Sequence, residues 1–132
     1  MERRSIAGIV LRGDTVLIGK RIAGGPIGLH WEFPGGKVEA GETDEEALRR
    51  EFLEEFEVEV TPVRPLGSSR FQSPSGERLL TAWLVCVEPE AEFHLKEHSR
   101  IDWVGLEALE GLKLAGSDRS LIPFLKRSLW GS

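Results

Sequence analysis

An α/β sandwich with a mixed sheet, built as one domain around one core, is the fold this sequence predicts, and three observations predict it. β-rich runs occur in both halves of the chain, an acidic amphipathic helix follows a Pro-Gly-Gly break in the first half, and an apolar-faced helix closes the second. With 132 residues, read as a single domain over 1–132, the chain can bury roughly two-thirds of the surface its unfolded form exposes. Folding therefore needs no metal staple or partner, and a bound metal would serve chemistry.

Ser5–Leu11 and Thr15–Lys20 read as a hairpin joined by Arg12-Gly13-Asp14, where glycine supplies the positive φ of a tight reversal. Ile22–Leu29 holds three glycines and Pro26 without periodicity and is expected as a loop leading to a short strand, His30–Phe33. Pro34-Gly35-Gly36 breaks that strand. Thr43 and Glu46 have the spacing of a capping box, and Asp44, Glu45 and Glu46 suit the positive end of a helix. Along that helix Ala47, Leu48 and Phe52 form an apolar stripe, while Glu51, Glu54 and Glu55 fall on another face. Val58, Val60 and Val63 suggest a strand. Arg64–Gly76, with two prolines and two glycines, reads as a loop-rich connection to the strands Leu79–Val87 and Ile101–Val104. Gly105–Leu112 and Ser117–Arg127 are expected as helices, the latter with Leu121, Ile122, Phe124 and Leu125 on its apolar side. No internal repeat, low-complexity segment or linker interrupts this order.

Composition excludes several functions. The 17 Lys+Arg against 22 Asp+Glu leave a formal net charge of −5, which argues against a broad nucleic-acid-binding face, since such faces neutralise phosphates with basic side chains. Small anionic ligands remain possible through local charge or metal. The longest apolar runs, Ile6–Leu11 and Thr81–Val87, are strand-length, so no membrane span is expected. Cys86 is the sole cysteine, which forbids an internal disulfide and a cysteine-based zinc cage. The apolar stretch after Met1-Glu2-Arg3-Arg4 is too short for a secretion signal, so a cytoplasmic location is the expectation. His30, His94 and His98 lack the close pairing of a zinc site and read as structural or surface residues.

The chemistry concentrates on the acidic helix. Glu51, Glu54 and Glu55 share about one turn, and carboxylates so close repel one another unless a cation lies between them. Hard oxygen ligands at this density suit Mg²⁺ or Mn²⁺, and Mg²⁺ commonly completes its shell with water and substrate phosphate oxygens. A strand and a Pro-Gly-Gly turn ahead of the helix place exposed backbone beside the carboxylates.

The segment Gly36–Val58 resembles the Nudix box, the signature of hydrolases that cleave nucleoside diphosphates linked to another group. Gly36, five residues, Glu42, seven residues, Arg50-Glu51, apolar Phe52, one residue, Glu54-Glu55 and apolar Val58 reproduce its spacing. One position departs: Glu57 stands where the family places a glycine that ends the helix in a left-handed conformation. Trp31-Glu32-Phe33-Pro34-Gly35-Gly36-Lys37 further resembles the strand and loop of MutT-type members, which hydrolyse 8-oxo-dGTP and related nucleoside triphosphates.

What the resemblance implies is a Nudix-fold α/β/α sandwich with a metal held by Glu51, Glu54 and Glu55, the Gly35 carbonyl, and Glu97 reaching in from a loop. Glu54, Glu51, Arg50 and Glu97 are the implied catalytic residues: one carboxylate orients or deprotonates the attacking water, and Arg50 orients a glutamate. Arg21 and Lys37 are assigned to the substrate, with Arg21 at its phosphates. Asp118, in a segment resembling the start of the last helix of this branch, is assigned to the nucleobase; its alternative role is helix capping or a first-turn charge at the helix start. Glu42 supports the loop. The expected reaction converts a nucleoside triphosphate, of 8-oxo-dGTP type or otherwise modified, to monophosphate and pyrophosphate with Mg²⁺ or Mn²⁺. Alternatives are CTP, dCTP or ADP-ribose as substrate, or a non-catalytic nucleotide-sensing module. The expected partner is a small nucleotide, with neither nucleic acid nor membrane, in a monomer or homodimer.

Overall fold

A computed structural model describes residues 2–22 and 30–131. All of the expected loop Ile22–Leu29 except Ile22 lies outside them. Seven strands, β1 (Arg4–Arg12), β2 (Thr15–Arg21), β3 (Trp31–Glu32), β4 (Gly35–Lys37), β5 (Thr61–Ser73), β6 (Gly76–Cys86) and β7 (His98–Val104), are joined by the helices α1 (Asp44–Phe56), α2 (Leu106–Gly111), α3 (Gly116–Arg119) and α4 (Ile122–Leu129).

The sheet is mixed, as expected. β1 runs parallel to β6 from Arg4↔Leu79 to Val10↔Val85 and antiparallel to β4 over Ser5–Ala7. Its far end pairs antiparallel with β2, which in turn carries β3 on one side and β7 on the other. The Gly35-Gly36 segment that was expected only to break a strand is itself a short strand, because β1 offers it a free edge.

Successive side chains of a strand point to opposite faces, and β1 uses both. Ile6 and Val10 pack under α1 with Leu48, Phe52 and Phe56; Ala7 and Ile9 pack under the C-terminal helices with Leu121 and Leu125. The single expected core is thus two cores, one on each face of the sheet. β1 reads as a continuous apolar run because both its faces are covered.

Two expectations are corrected. Arg64–Gly76 is not a loop: Thr61–Ser73 is one long strand, antiparallel to β6 at the sheet edge, with register shifts between Pro62 and Arg64 and between Pro65 and Gly67. Proline lacks the amide that a central strand must donate, but an edge strand with bulges accommodates it. The expected helix Ser117–Arg127 is two pieces, α3 and α4, with Pro123 in the first turn of the second. Proline has no N–H to donate, a loss that costs nothing in a first turn but breaks a helix interior, so the helix starts anew instead of running through.

Candidate active site

Helix α1 is placed by its ends. At its start Thr43 Oγ1 accepts the Glu46 amide at 3.1 Å while the Glu46 carboxylate accepts the Thr43 amide at 2.8 Å, the capping box the sequence predicts. At its other end Glu57 adopts φ 57° and ψ 38° and donates its amide to the Leu53 carbonyl at 3.0 Å. It is the one non-glycine residue of positive φ among the described residues, at the position where the Nudix box carries glycine.

The glycine turn meets this helix side-on. Gly35 has φ 151°, and a Cβ there would run into the Ile6 carbonyl. A Cβ on Gly36 would run into the Glu51 carboxylate, so the turn has no side chain where the helix needs room for its acids.

Two ionic groups flank that contact. In the first, Arg50 donates through Nε to Glu42 at 2.7 Å, through Nη2 to Glu42 at 3.0 Å and the Lys37 carbonyl at 2.9 Å, and through Nη1 to Glu51 at 3.1 Å and Glu54 at 3.3 Å. The hydrogen bond from Arg50 holds the Glu42 carboxyl below its ordinary range, and the carboxylates raise the guanidinium in turn. Glu42 and Arg50 therefore lock the turn to the helix, the supporting role expected of Glu42.

In the second group charge is not balanced. Burial, then the hydrogen bond to Glu54, raises the Glu51 carboxyl to about 7. Glu55 is 2% exposed, and burial, followed by the charges of Glu51, Glu32 and Glu97, pushes its carboxyl up to about 10. One Glu55 oxygen accepts the Gly35 amide at 3.3 Å; the other, Oε1, is buried with no hydrogen-bond partner. A buried unpaired acceptor is costly, and a cation removes both that cost and the repulsion. The all-oxygen donors of Glu51, Glu54 and Glu55 fit a hard divalent ion.

Glu97 is exposed, yet near enough to act on the charges of Glu51 and Glu55. Its loop is tied to the end of α1, since Lys96 donates its amide to the Glu55 carbonyl at 3.1 Å and His94 to the Phe56 carbonyl at 2.9 Å. Arg21 lies at the end of β2 with Nη1 3.5 Å from Glu32. The Lys37 side chain is exposed on β4, and only its carbonyl enters the Arg50 group. Asp118 is 8% exposed and stands in the first turn of α3, where its charge suits the helix start, but its side chain makes no capping bond there. Its Oδ2 instead accepts the Phe33 amide at 2.9 Å, and burial raises its carboxyl to about 7 against the opposing pull of that amide.

Two residues of this region escaped the sequence reading. His98 was expected to be structural or at the surface; it is buried, with Nε2 2.9 Å from Glu32 Oε2. Donor atoms of Glu32, Glu55 and His98 all lie within 4.8 Å of one another. The available signal was adjacency: His98 follows Glu97, and Glu32 stands inside the Trp31–Lys37 motif.

Comparison with known proteins places this arrangement. The family model described as NUDIX domain matches residues 1–125. The 8-oxo-dGTP diphosphatase of Escherichia coli K12 is 32% identical over 130 residues, covering 96% of this chain and 99% of that protein. The CTP pyrophosphohydrolase of the same strain is 34% identical over 122 residues, covering 89% of this chain and 86% of its own. The solution structure of the E. coli ORF135 protein matches with a TM-score of 0.78 at 29% identity, covering 97% of this chain and 93% of that one. By its box, its fold and these relatives, the chain belongs to the Nudix family.

Proposed function

We propose that the chain is a nucleoside triphosphate pyrophosphohydrolase, cleaving the α–β phosphoanhydride with water to give a nucleoside monophosphate and pyrophosphate. The observation that carries this reading is the convergence of Glu51, Glu54 and Glu55 beside a glycine turn shaped to admit them, with the Glu55 Oε1 atom left without a partner. Nudix hydrolases use divalent metals, and here Mg²⁺ or Mn²⁺ would be held by Glu51, Glu54, Glu55 and the Gly35 carbonyl, with Glu97 alongside. Such an ion, when bound, would neutralise charge developing on the phosphoryl oxygens.

The remaining work falls to the chain's own groups. Glu54, the most open of the three acids with a side chain 52% exposed, takes the proton of the attacking water. Arg50 keeps Glu51 and Glu54 in place through its Nη1 contacts. Arg21 binds substrate phosphates with its planar fork, and Lys37 adds positive charge at the rim. Asp118 reads the base: ionised it accepts from amino or imino donors, as guanine and cytosine present, and protonated it also donates.

Both bases have a relative behind them, since one E. coli relative is named for 8-oxo-dGTP and another for CTP. An oxidised purine triphosphate is the first reading and CTP or dCTP the second. Pyrophosphate release with Mg²⁺ from 8-oxo-dGTP, dGTP, CTP and dCTP, by the wild type and Glu54→Gln, tests the proposal. Turnover on at least one nucleotide, lost by about a thousandfold or more in the variant with unchanged folding, is the expected result. Near-normal activity of Glu54→Gln at saturating Mg²⁺ sinks the site assignment, and no turnover on any of the four favours a nucleotide-sensing module.

A further inference from the structure

We infer that Glu32 and His98 are a positioning pair that fixes the Arg21 guanidinium for the substrate phosphates, an inference that rests on the role proposed for Arg21. Neither residue belongs to the acidic helix. Glu32 lies on β3 and His98 at the start of β7, and both strands pair with β2, which ends at Arg21. The three side chains form a row: Arg21 Nη1 is 3.5 Å from Glu32 Oε2, and the same oxygen is 2.9 Å from His98 Nε2.

The row has a rigid end and a free end. The His98 side chain is 0% exposed, its ring lies flat on Phe56 with centroids 5.3 Å apart and planes 8° off parallel, and it occupies the space a side chain on residue 19 would need. A Cβ on Gly19 would come within 2.6 Å of His98 Cδ2. Arg21, by contrast, has a side chain 37% exposed at the strand end. An arginine left there unaided carries several rotatable bonds of entropy that binding must remove. A carboxylate held from behind by a fixed imidazole supplies that order in advance.

The ring nitrogens define how the pair works. His98 Nδ1 is buried with no partner, so a proton there would be a stranded donor. The proton therefore sits on Nε2, which donates to Glu32 Oε2. That same placement argues against Glu32, Glu55 and His98 serving as a cation cage: coordination through Nε2 would move the proton to Nδ1, where it meets nothing, whereas ligating histidines donate their second nitrogen.

Three measurements test the pair. In the free protein, the long-range proton–nitrogen NMR spectrum of His98 should show the Nε2–H tautomer, and the Arg21 Nε–H signal should shift and broaden in Glu32→Gln. With 8-oxo-dGTP or CTP, whichever is turned over, Glu32→Gln should raise KM about tenfold with kcat and the Mg²⁺ activation constant within about threefold. His98→Leu should do the same, and His98→Gln, which keeps a donor at the reach of Nε2, should restore most of the loss. The double variant Arg21→Gln/Glu32→Gln should be no worse than Arg21→Gln alone, because Glu32 acts through Arg21.

Additive losses, or an Nδ1–H tautomer, overturn the inference. So does a Glu32→Gln variant with normal KM while Arg21→Gln is impaired, an outcome that leaves the Arg21 reading standing. If Arg21→Gln itself binds substrate normally, both fall together. A Mg²⁺ or Mn²⁺ requirement altered in Glu32→Gln and His98→Leu alike identifies a cation cage and also overturns it. The NMR readings decide the matter without turnover.

Discussion

Two ionic groups on and around α1 meet at Glu51, and the same physics treats their far members, Glu42 and Glu55, in opposite ways. Around Arg50 each carboxylate has a donor: Glu42 takes two hydrogen bonds and its carboxyl is held low. Around Glu55 the donors run out, one oxygen is left bare, and the carboxyls of Glu51 and Glu55 are driven up to about 7 and about 10. A satisfied group of this kind is scaffold, and a frustrated one marks where a ligand enters. Composition alone does not separate them, since both are built on glutamates, Glu42 just ahead of α1 and Glu55 within it.

The sharpest way to break this contrast is Glu55→Gln. Turnover should fall by orders of magnitude, yet the metal-free protein should become more stable at pH 8, because the wild type must take up a proton at Glu55 on folding, its carboxyl being pushed up to about 10, and a neutral amide of similar shape avoids that cost. Denaturant melts with and without Mg²⁺ check both halves, and a metal-free variant less stable than wild type contradicts the frustrated reading.

Asp118, outside both groups, is an intermediate case, buried but with one amide partner. Its carboxyl titrates near 7 in the fold against 3.8 as its ordinary value, so the folded state holds the extra proton between these limits. Its contribution to stability is fully present below about pH 4 and is lost as pH rises through about 7. Asp118→Asn should therefore gain on wild type between pH 5 and 8, by an amount on the order of a few kcal/mol, read from paired urea titrations. A pH-independent difference rejects this.

Glu42→Gln tests the satisfied side, with the opposite sign. Removing the charge opposite Arg50 should cost about 1–2 kcal/mol at neutral pH, seen as a lower denaturation midpoint. The smallest effect belongs to Glu57→Gly. Glycine relieves the left-handed backbone at φ 57°, and the midpoint should rise by an amount equivalent to about 1 kcal/mol. A lower midpoint means the chain-entropy cost of glycine outweighs that relief.

The scaffold was more legible in the sequence than the site's charge balance. The capping box of Thr43 and Glu46 is a local signal, and the structure forms it residue for residue. The strand Thr61–Ser73 was hidden because Pro62, Pro65 and Gly67 are loop residues by composition, and only the edge position with its bulges makes them tolerable. Asp118 read equally as a cap or a ligand, since spacing does not reveal that its carboxylate turns inward to the Phe33 amide. His98 was passed over because its partner, Glu32, is distant in sequence and is brought to it by β2 between them.

The parallel pairing of β1 with β6 also governs how the chain reaches this state. β1 is interior to the sheet and precedes β6 in the chain, so Arg4 finds its β6 partner only when Leu79 is available. During synthesis β2 and β4 can pair with β1 early, but the edge of the run Ile6 to Val10 that β6 covers must wait, and loop closure over so long a segment is slow. A nascent chain halted before Gly76 presents that run to whatever else is near, which makes the emergence of β6 the point at which the protein becomes safe from aggregation.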